Sequence, residues 1–111
     1  MEILGIKTNH DIQSAINLLD EGFIEKKEYW SSAFNRRSNK TENYGFLLKN
    51  NNEPVGVLIT FTKNFSLDGD NHKLINLSSW YVQEKYRVIA PSLLMKVIEE
   101  NKDKSIITSF R

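Results

Sequence analysis

Apolar and polar positions change period several times along the chain, and each change marks an element. Ile3, Leu4 and Ile6 in EILGIKT predict a short first strand. Thr8 or Asn9 then offers an N-cap oxygen, and Ile12, Ala15, Ile16, Leu19 and Phe23 follow at helical spacing, with Gly22 as the stop. A second amphipathic helix is predicted from Lys26 to Arg37, where Tyr29, Trp30, Ala33 and Phe34 form an apolar face against Lys26, Lys27, Arg36 and Arg37.

The polar run RSNKTEN separates these helices from YGFLLKN, which meets the turn-forming NNNEP and returns as VGVLITFTK, a hairpin. In the returning strand Val55, Val57, Ile59 and Phe61 alternate with Gly56, Leu58, Thr60 and Thr62, so one face is strongly apolar. NFSLDGDNH reads as a loop, and Leu74 to Val82 as a strand long enough to cross the domain. The turn QEKYRVIA leads to Pro91, suited to a helix's first turn because its missing N–H costs nothing there. Leu93, Leu94, Val97 and Ile98 supply that helix with a buried stripe, and Lys104 to Phe110 has the β-branched content of a last strand. The order β, α, α, β, β, β, α, β predicts an α+β fold with a mixed, mostly antiparallel sheet and helices on both faces.

With 111 residues, 40% of them hydrophobic, one domain spanning residues 1–111 is expected. A net charge of +1 from interleaved acids and bases supplies no basic field for nucleic acid. The absence of cysteine removes disulfides, thiolate catalysis and zinc-thiolate sites. MEILGIKTNHD shows no basic segment followed by a long apolar one, and no apolar run reaches a membrane span, so a cytoplasmic protein without membrane partners is expected. DGDNH lacks the spacing and final glutamate of a calcium loop, and no metal site is assigned.

The chemistry concentrates where the long strand meets the third helix. Backbone N–H groups at such a helix start suit phosphate, and EKYRVIAPSLL adds a guanidinium at Arg87, small residues at Ala90 and Ser92, and the Ser92 hydroxyl. On these residues alone a strand-helix junction without ligand explains the pattern too, and Pro91 removes one donor.

At these residues the chain resembles the GCN5-related N-acetyltransferases. Tyr81-Val82-Gln83-Glu84-Lys85-Tyr86-Arg87 is similar to the family's approach to its phosphate loop, Arg87-Val88-Ile89-Ala90-Pro91-Ser92 occupies the loop pattern, and EPVGVLITF is similar to its strand pair. Ala90 stands where the family usually has Gly and Ser92 where it usually has Gly or Ala, and the helix and two strands that usually follow the fifth strand have no counterpart before Arg111. The resemblance implies an acyl-CoA N-acyltransferase-like fold lacking the last family elements. It also implies binding of acetyl-CoA or another acyl-CoA. The backbone N–H groups of Arg87, Val88, Ile89, Ala90 and Ser92 would hold the pyrophosphate, with Arg87 adding charge. Trp80, Tyr81 and Val82 would pair with the pantetheine amides, and an N–H near Tyr81 or Val82 would polarise the thioester carbonyl.

A small-molecule or peptide amine would then attack directly. No general base is identified; the groups on offer are Glu84 in the turn and His72 in DGDNHK. Trp80 and Tyr81 point to opposite faces of their strand, so at most one lines the cleft. Tyr29, Trp30 and Phe34 read as core, or as part of a helix capping the acceptor pocket. Two functions follow, an N-acyltransferase and a shortened, non-catalytic domain that binds CoA or a protein partner. Ile106, Ile107 and Phe110 would end on an open strand edge, so a homodimer through Lys104 to Arg111 is expected.

Overall fold

A computed structural model describes residues 1–24, 26–35, 44–101 and 105–109. Five strands form one sheet in sequence order, β1 (Glu2–Gly5), β2 (Gly45–Asn50), β3 (Glu53–Leu67), β4 (Asp70–Val82) and β5 (Ser105–Ser109). The first four are antiparallel and β5 runs parallel to β4. Helices α1 (Asn9–Gly22) and α2 (Lys27–Asn35) belong to the core on one face, and α3 (Pro91–Glu100) to the core on the other. A 3-10 helix, Glu84–Ile89, links β4 to α3.

The two-faced core follows from the pleat of β3. Val57 and Ile59 join Leu19, Trp30 and Phe34 on the α1 and α2 side, while Leu58 joins Leu93 and Val97 beneath α3. Val55 departs from the expected alternation and packs with Leu58. Leu48 pairs with Gly56 but Lys49 with Pro54, so Val55 is the extra residue of a β-bulge that turns the strand over. Pro54, which has no N–H to give a ladder, sits beside it.

Both hairpins close on two residues in the left-handed region, Asn51 and Asn52 (φ 52° and 69°) and Asp68 and Gly69 (φ 53° and 83°). Positive φ at both central positions matches the right-handed twist of the flanking strands. The second turn corrects the loop expected over NFSLDGDNH, because β3 continues to Leu67 and β4 starts at Asp70. Asn64, Ser66 and Asn71 are polar yet ladder-paired, their backbone groups bonded across the strands whatever their side chains prefer.

The helices depart from the expected stripes at four places, the first being Phe23, which lies just past the end of α1 and is exposed. Tyr29 is exposed while Trp30 and Phe34 are buried, Leu18 joins the buried face of α1, and Ile98 lies on the exposed side of α3. Arg36 and Arg37, placed by the sequence in the second helix, lie outside the described residues, as do Lys104, Phe110 and Arg111 from the proposed dimer edge. Among the described residues no helix is long and apolar enough to cross a membrane.

α1 starts at a reciprocal capping box. The Thr8 hydroxyl accepts from Asp11 N–H at 3.0 Å, and Asp11 Oδ2 accepts from Thr8 N–H and Lys7 N–H, each at 3.1 Å. Partial burial pushes the Asp11 carboxyl up, but the hydrogen bonds from Thr8 and Lys7 outweigh it and leave the group below its ordinary value. A carboxylate depressed in the folded state stabilises above its unfolded pKa, and loses that contribution as pH falls through the folded value. Asp11→Ala should therefore cost about 0.5–2 kcal/mol near neutrality, and its gap from the parent in denaturant titrations should narrow as pH falls through the depressed folded value of the carboxyl.

Candidate functional site

Among the described residues the last part of β4 has a partner on one side only. The pairing of β4 with β5 runs from Lys73 opposite Ser105 to Leu77 opposite Ser109, so among the described residues Ser78 to Val82 keep only β3 as a neighbour. Ser79 pairs with Ile59 but Leu77 with Thr60, which makes Ser78 a bulge at the place where the two strands part. The bulge sharpens the local twist. An open strip of backbone donors and acceptors results, and Trp80, Tyr81 and Val82 lie in it.

These three residues alternate as the pleat requires. Trp80 pairs with Leu58 and is 41% exposed, Tyr81 pairs with Val57 and packs on the α1 and α2 side, and Val82 is buried on the α3 side. Tyr81 is therefore the one that joins the core. Its hydroxyl donates to Glu21 Oε2 at 2.8 Å, and Gln83 Nε2 donates to Glu21 Oε1 at 3.4 Å. Burial, then the hydrogen bond and charge of Glu21, push the phenol above its usual value against the smaller opposing pull of Arg87. The hydroxyl stays protonated and donating.

Gly22 makes this arrangement possible. A Cβ there would fall inside van der Waals distance of the Tyr81 ring, so the residue read as a helix stop is clearance for an aromatic side chain. Phe23 follows with its ring centroid 6.4 Å from Tyr81 and 5.6 Å from Trp30, and Tyr29 meets Trp30 edge-on at 5.0 Å. The end of α1 and the start of α2 thus form an aromatic wall beside the open part of β4. Sequence reasoning missed Glu21, Gln83 and the purpose of Gly22. Their partner lies about sixty positions away, and no local pattern reports it.

The turn after β4 is closed on itself. Tyr86 N–H donates to Gln83 O at 2.8 Å and Ala90 N–H to Arg87 O at 3.1 Å, which bracket the 3-10 helix, and Leu93 N–H donates to Ala90 O at 3.1 Å. Of the N–H groups expected to hold a phosphate from Arg87 to Ser92, that of Ala90 is bonded to Arg87 O and Pro91 has none. Arg87 is exposed, and its Nε donates to Val82 O at 3.0 Å, which moors the guanidinium to the strand end. Val88 is exposed at the tip, Ile89 and Ala90 pack against the α3-side core, and Ser92 lies in the first turn of α3. Asn50 Nδ2 donates to the Tyr86 hydroxyl at 3.0 Å and ties the turn to β2.

The two expected bases are not brought together. Glu84 is exposed at the start of the 3-10 helix, near the open strand. His72 sits on β4 opposite Phe65, roughly 30 Å along the strand from Tyr81 at the rise of an antiparallel strand. No cluster of three or more metal-binding side chains occurs among the described residues.

No family model and no curated protein matches the chain in sequence. Solved structures match it in shape. The apo aminoglycoside 6'-N-acetyltransferase AAC(6')-IG from Acinetobacter haemolyticus superposes with a TM-score of 0.75 at 14% identity, over 100% of this chain and 79% of its own. AAC(6')-Iy in complex with the bisubstrate analogue CoA-S-monomethyl-acetylneamine gives 0.72 at 13% identity, over 99% and 78%. A transcriptional regulator from Bacillus halodurans C-125 gives 0.70 at 17% identity, over 99% and 82%. The fold is that of the GCN5-related acyl-CoA N-acyltransferases, mixed α+β with helices on both faces of the sheet.

Packing at Gly22 leads to a test. Gly22→Ala should destabilise by about 1–3 kcal/mol through overpacking against Tyr81, although alanine is the better helix former. In a Tyr81→Ala background the same change should become neutral or stabilising by up to about 1 kcal/mol, measured as a double-mutant cycle of unfolding free energies. A cost that persists without the ring would show that the clash is elsewhere.

Proposed function

We propose that this chain is a single-domain, acyl-CoA-dependent N-acyltransferase, with acetyl-CoA as the first donor to try and a small-molecule or peptide amine as acceptor. The observation that carries the reading is the edge of β4 from Ser78 to Val82, open among the described residues and running directly into a turn that presents Arg87. Backbone amides along an unpaired strand suit the amides of a pantetheine arm, which would add to the sheet as an extra strand does. A thioester supplies an activated acyl group. The chain's part is to align it along Trp80, Tyr81 and Val82, to donate an N–H near Tyr81 or Val82 to the carbonyl oxygen, and to set the Arg87 guanidinium beside phosphate. The complex of AAC(6')-Iy with a CoA-acetylneamine analogue supports a small amine as the attacking group.

A non-catalytic binding domain is the second reading, and one observation favours it. Within Ser78 to Val82 the titratable side chain is Tyr81, whose phenol is held protonated, so the open strand carries no base. Glu84 is the nearest expected candidate in sequence. Thiol release from acetyl-CoA in the presence of an amine panel separates the two: turnover supports the enzyme, and binding without turnover the domain.

Acetyl-CoA should raise the thermal midpoint of the protein by mass action on the folded state. Arg87→Ala should weaken calorimetric binding by about 1.5–3 kcal/mol, roughly ten- to hundredfold, if the guanidinium contacts a phosphate. An unchanged affinity would move the site elsewhere.

The unpaired outer side of β5 among the described residues supports self-association along that strand. Light scattering should show a dimer at tens of micromolar, shifted toward monomer by Ile107→Lys; a monomeric parent would sink this part.

A further inference from the structure

A thioester laid along the open strip would accept an N–H at its carbonyl oxygen near the plane of the carbonyl group, and a nucleophile must reach the carbonyl carbon from above or below that plane. For a group held as an added strand, above and below are the two faces of the sheet. On the α3 side the strip presents Trp80, paired with Leu58, and the buried Val82, and neither side chain can accept a proton. On the α1 and α2 side Tyr81 meets the Glu21 carboxylate through its hydroxyl at 2.8 Å, and Gln83 reaches the other carboxylate oxygen with Nε2 at 3.4 Å.

Those two bonds leave Glu21 room for a third partner. A carboxylate has about four lone-pair sites, and this one is exposed. Burial and then Glu21 itself push the Tyr81 phenol up, so Tyr81 stays the donor and Glu21 the acceptor. Phe23 stands beside the pair with its ring centroid 6.4 Å from that of Tyr81, and its ring adds an attractive face for a cation. Glu84, the carboxylate nearest in sequence, is exposed in the turn beyond the end of the strip.

We infer that Glu21, at the end of α1 and held there by Tyr81 and Gln83, is the base of the transfer: it receives the acceptor as an ammonium ion and takes a proton from it. This rests on the acyltransferase reading, and it supplies from another element the base that the open strand itself does not carry. The ammonium gives one proton to Glu21, the freed nitrogen forms a C–N bond as the C–S bond breaks, and the sulfur leaves as a thiolate. The second nitrogen proton passes through solvent to the thiolate, and Glu21 returns its own to solvent.

Rates of thiol release from acetyl-CoA by the intact chain test it, corrected for release without protein. Butylamine, neamine and a lysine peptide serve as cationic acceptors, and hydroxylamine, uncharged at neutral pH, as one that attacks without first losing a proton. Glu21→Gln keeps a carbonyl oxygen for the Tyr81 hydroxyl and removes the base. The expected result is a fall of about a hundredfold or more in kcat/KM for whichever cationic amine the parent uses, with hydroxylamine changed by less than about threefold. A fall of less than about tenfold, or an equal fall with hydroxylamine, marks a structural role for Glu21 and overturns the inference. The same selective loss in Glu84→Gln instead of Glu21→Gln also overturns it. Turnover of hydroxylamine but of no cationic amine overturns the inference and leaves the acyltransferase standing. No thiol release with any of the four overturns the acyltransferase reading, and this inference with it.

Discussion

The β3–β4 ladder is the constraint on which everything else depends. It runs from Gly56 opposite Val82 to Leu67 opposite Asp70, and it is the longest pairing in the sheet. Because β3 sends Val57 and Ile59 to one face and Leu58 to the other, the ladder anchors both halves of the core at once. β4 is thereby held along its whole length by β3. Among the described residues its pairing with β5 runs only to Leu77, and from Ser78 to Val82 its place is held by β3.

Bulges then change the course of the ladder at two places. The extra residue at Val55 sends that side chain under α3, and the one at Ser78 follows the last described pair of β4 with β5. Each inserted residue sharpens the local twist, and each interrupts a regular ladder of backbone bonds.

Legibility in the sequence followed the range of the interaction. Helical spacing, the Thr8 cap and Pro91 at the start of α3 all answer to neighbours a few residues away, and the element order read from them holds. Val55 reads as one more step of an alternation because its bulge depends on pairing with Leu48 and Lys49 across the hairpin. Glu21 is a carboxylate in the last turn of α1, the end that disfavours negative charge, and Gly22 is a poor helix former. Both choices are explained by Tyr81, whose ring needs the missing Cβ and whose hydroxyl meets the carboxylate. His72 read as a loop residue because the polar letters around it hid the two-residue turn at Asp68 and Gly69.

Pro91 shows how one residue can serve the fold and limit the ligand. At the first position of α3 its ring is already set for helical φ and its missing N–H is one the helix does not use. The same missing N–H subtracts a donor from the turn, and the 3-10 helix before it spends others on internal bonds. A tight turn of this kind fixes Arg87 against Val82 O and packs Ile89 and Ala90 under α3. Rigidity here and a backbone cradle for anions draw on the same N–H groups. In this turn they go to rigidity at least at Tyr86 and Ala90, whose N–H groups bond Gln83 O and Arg87 O.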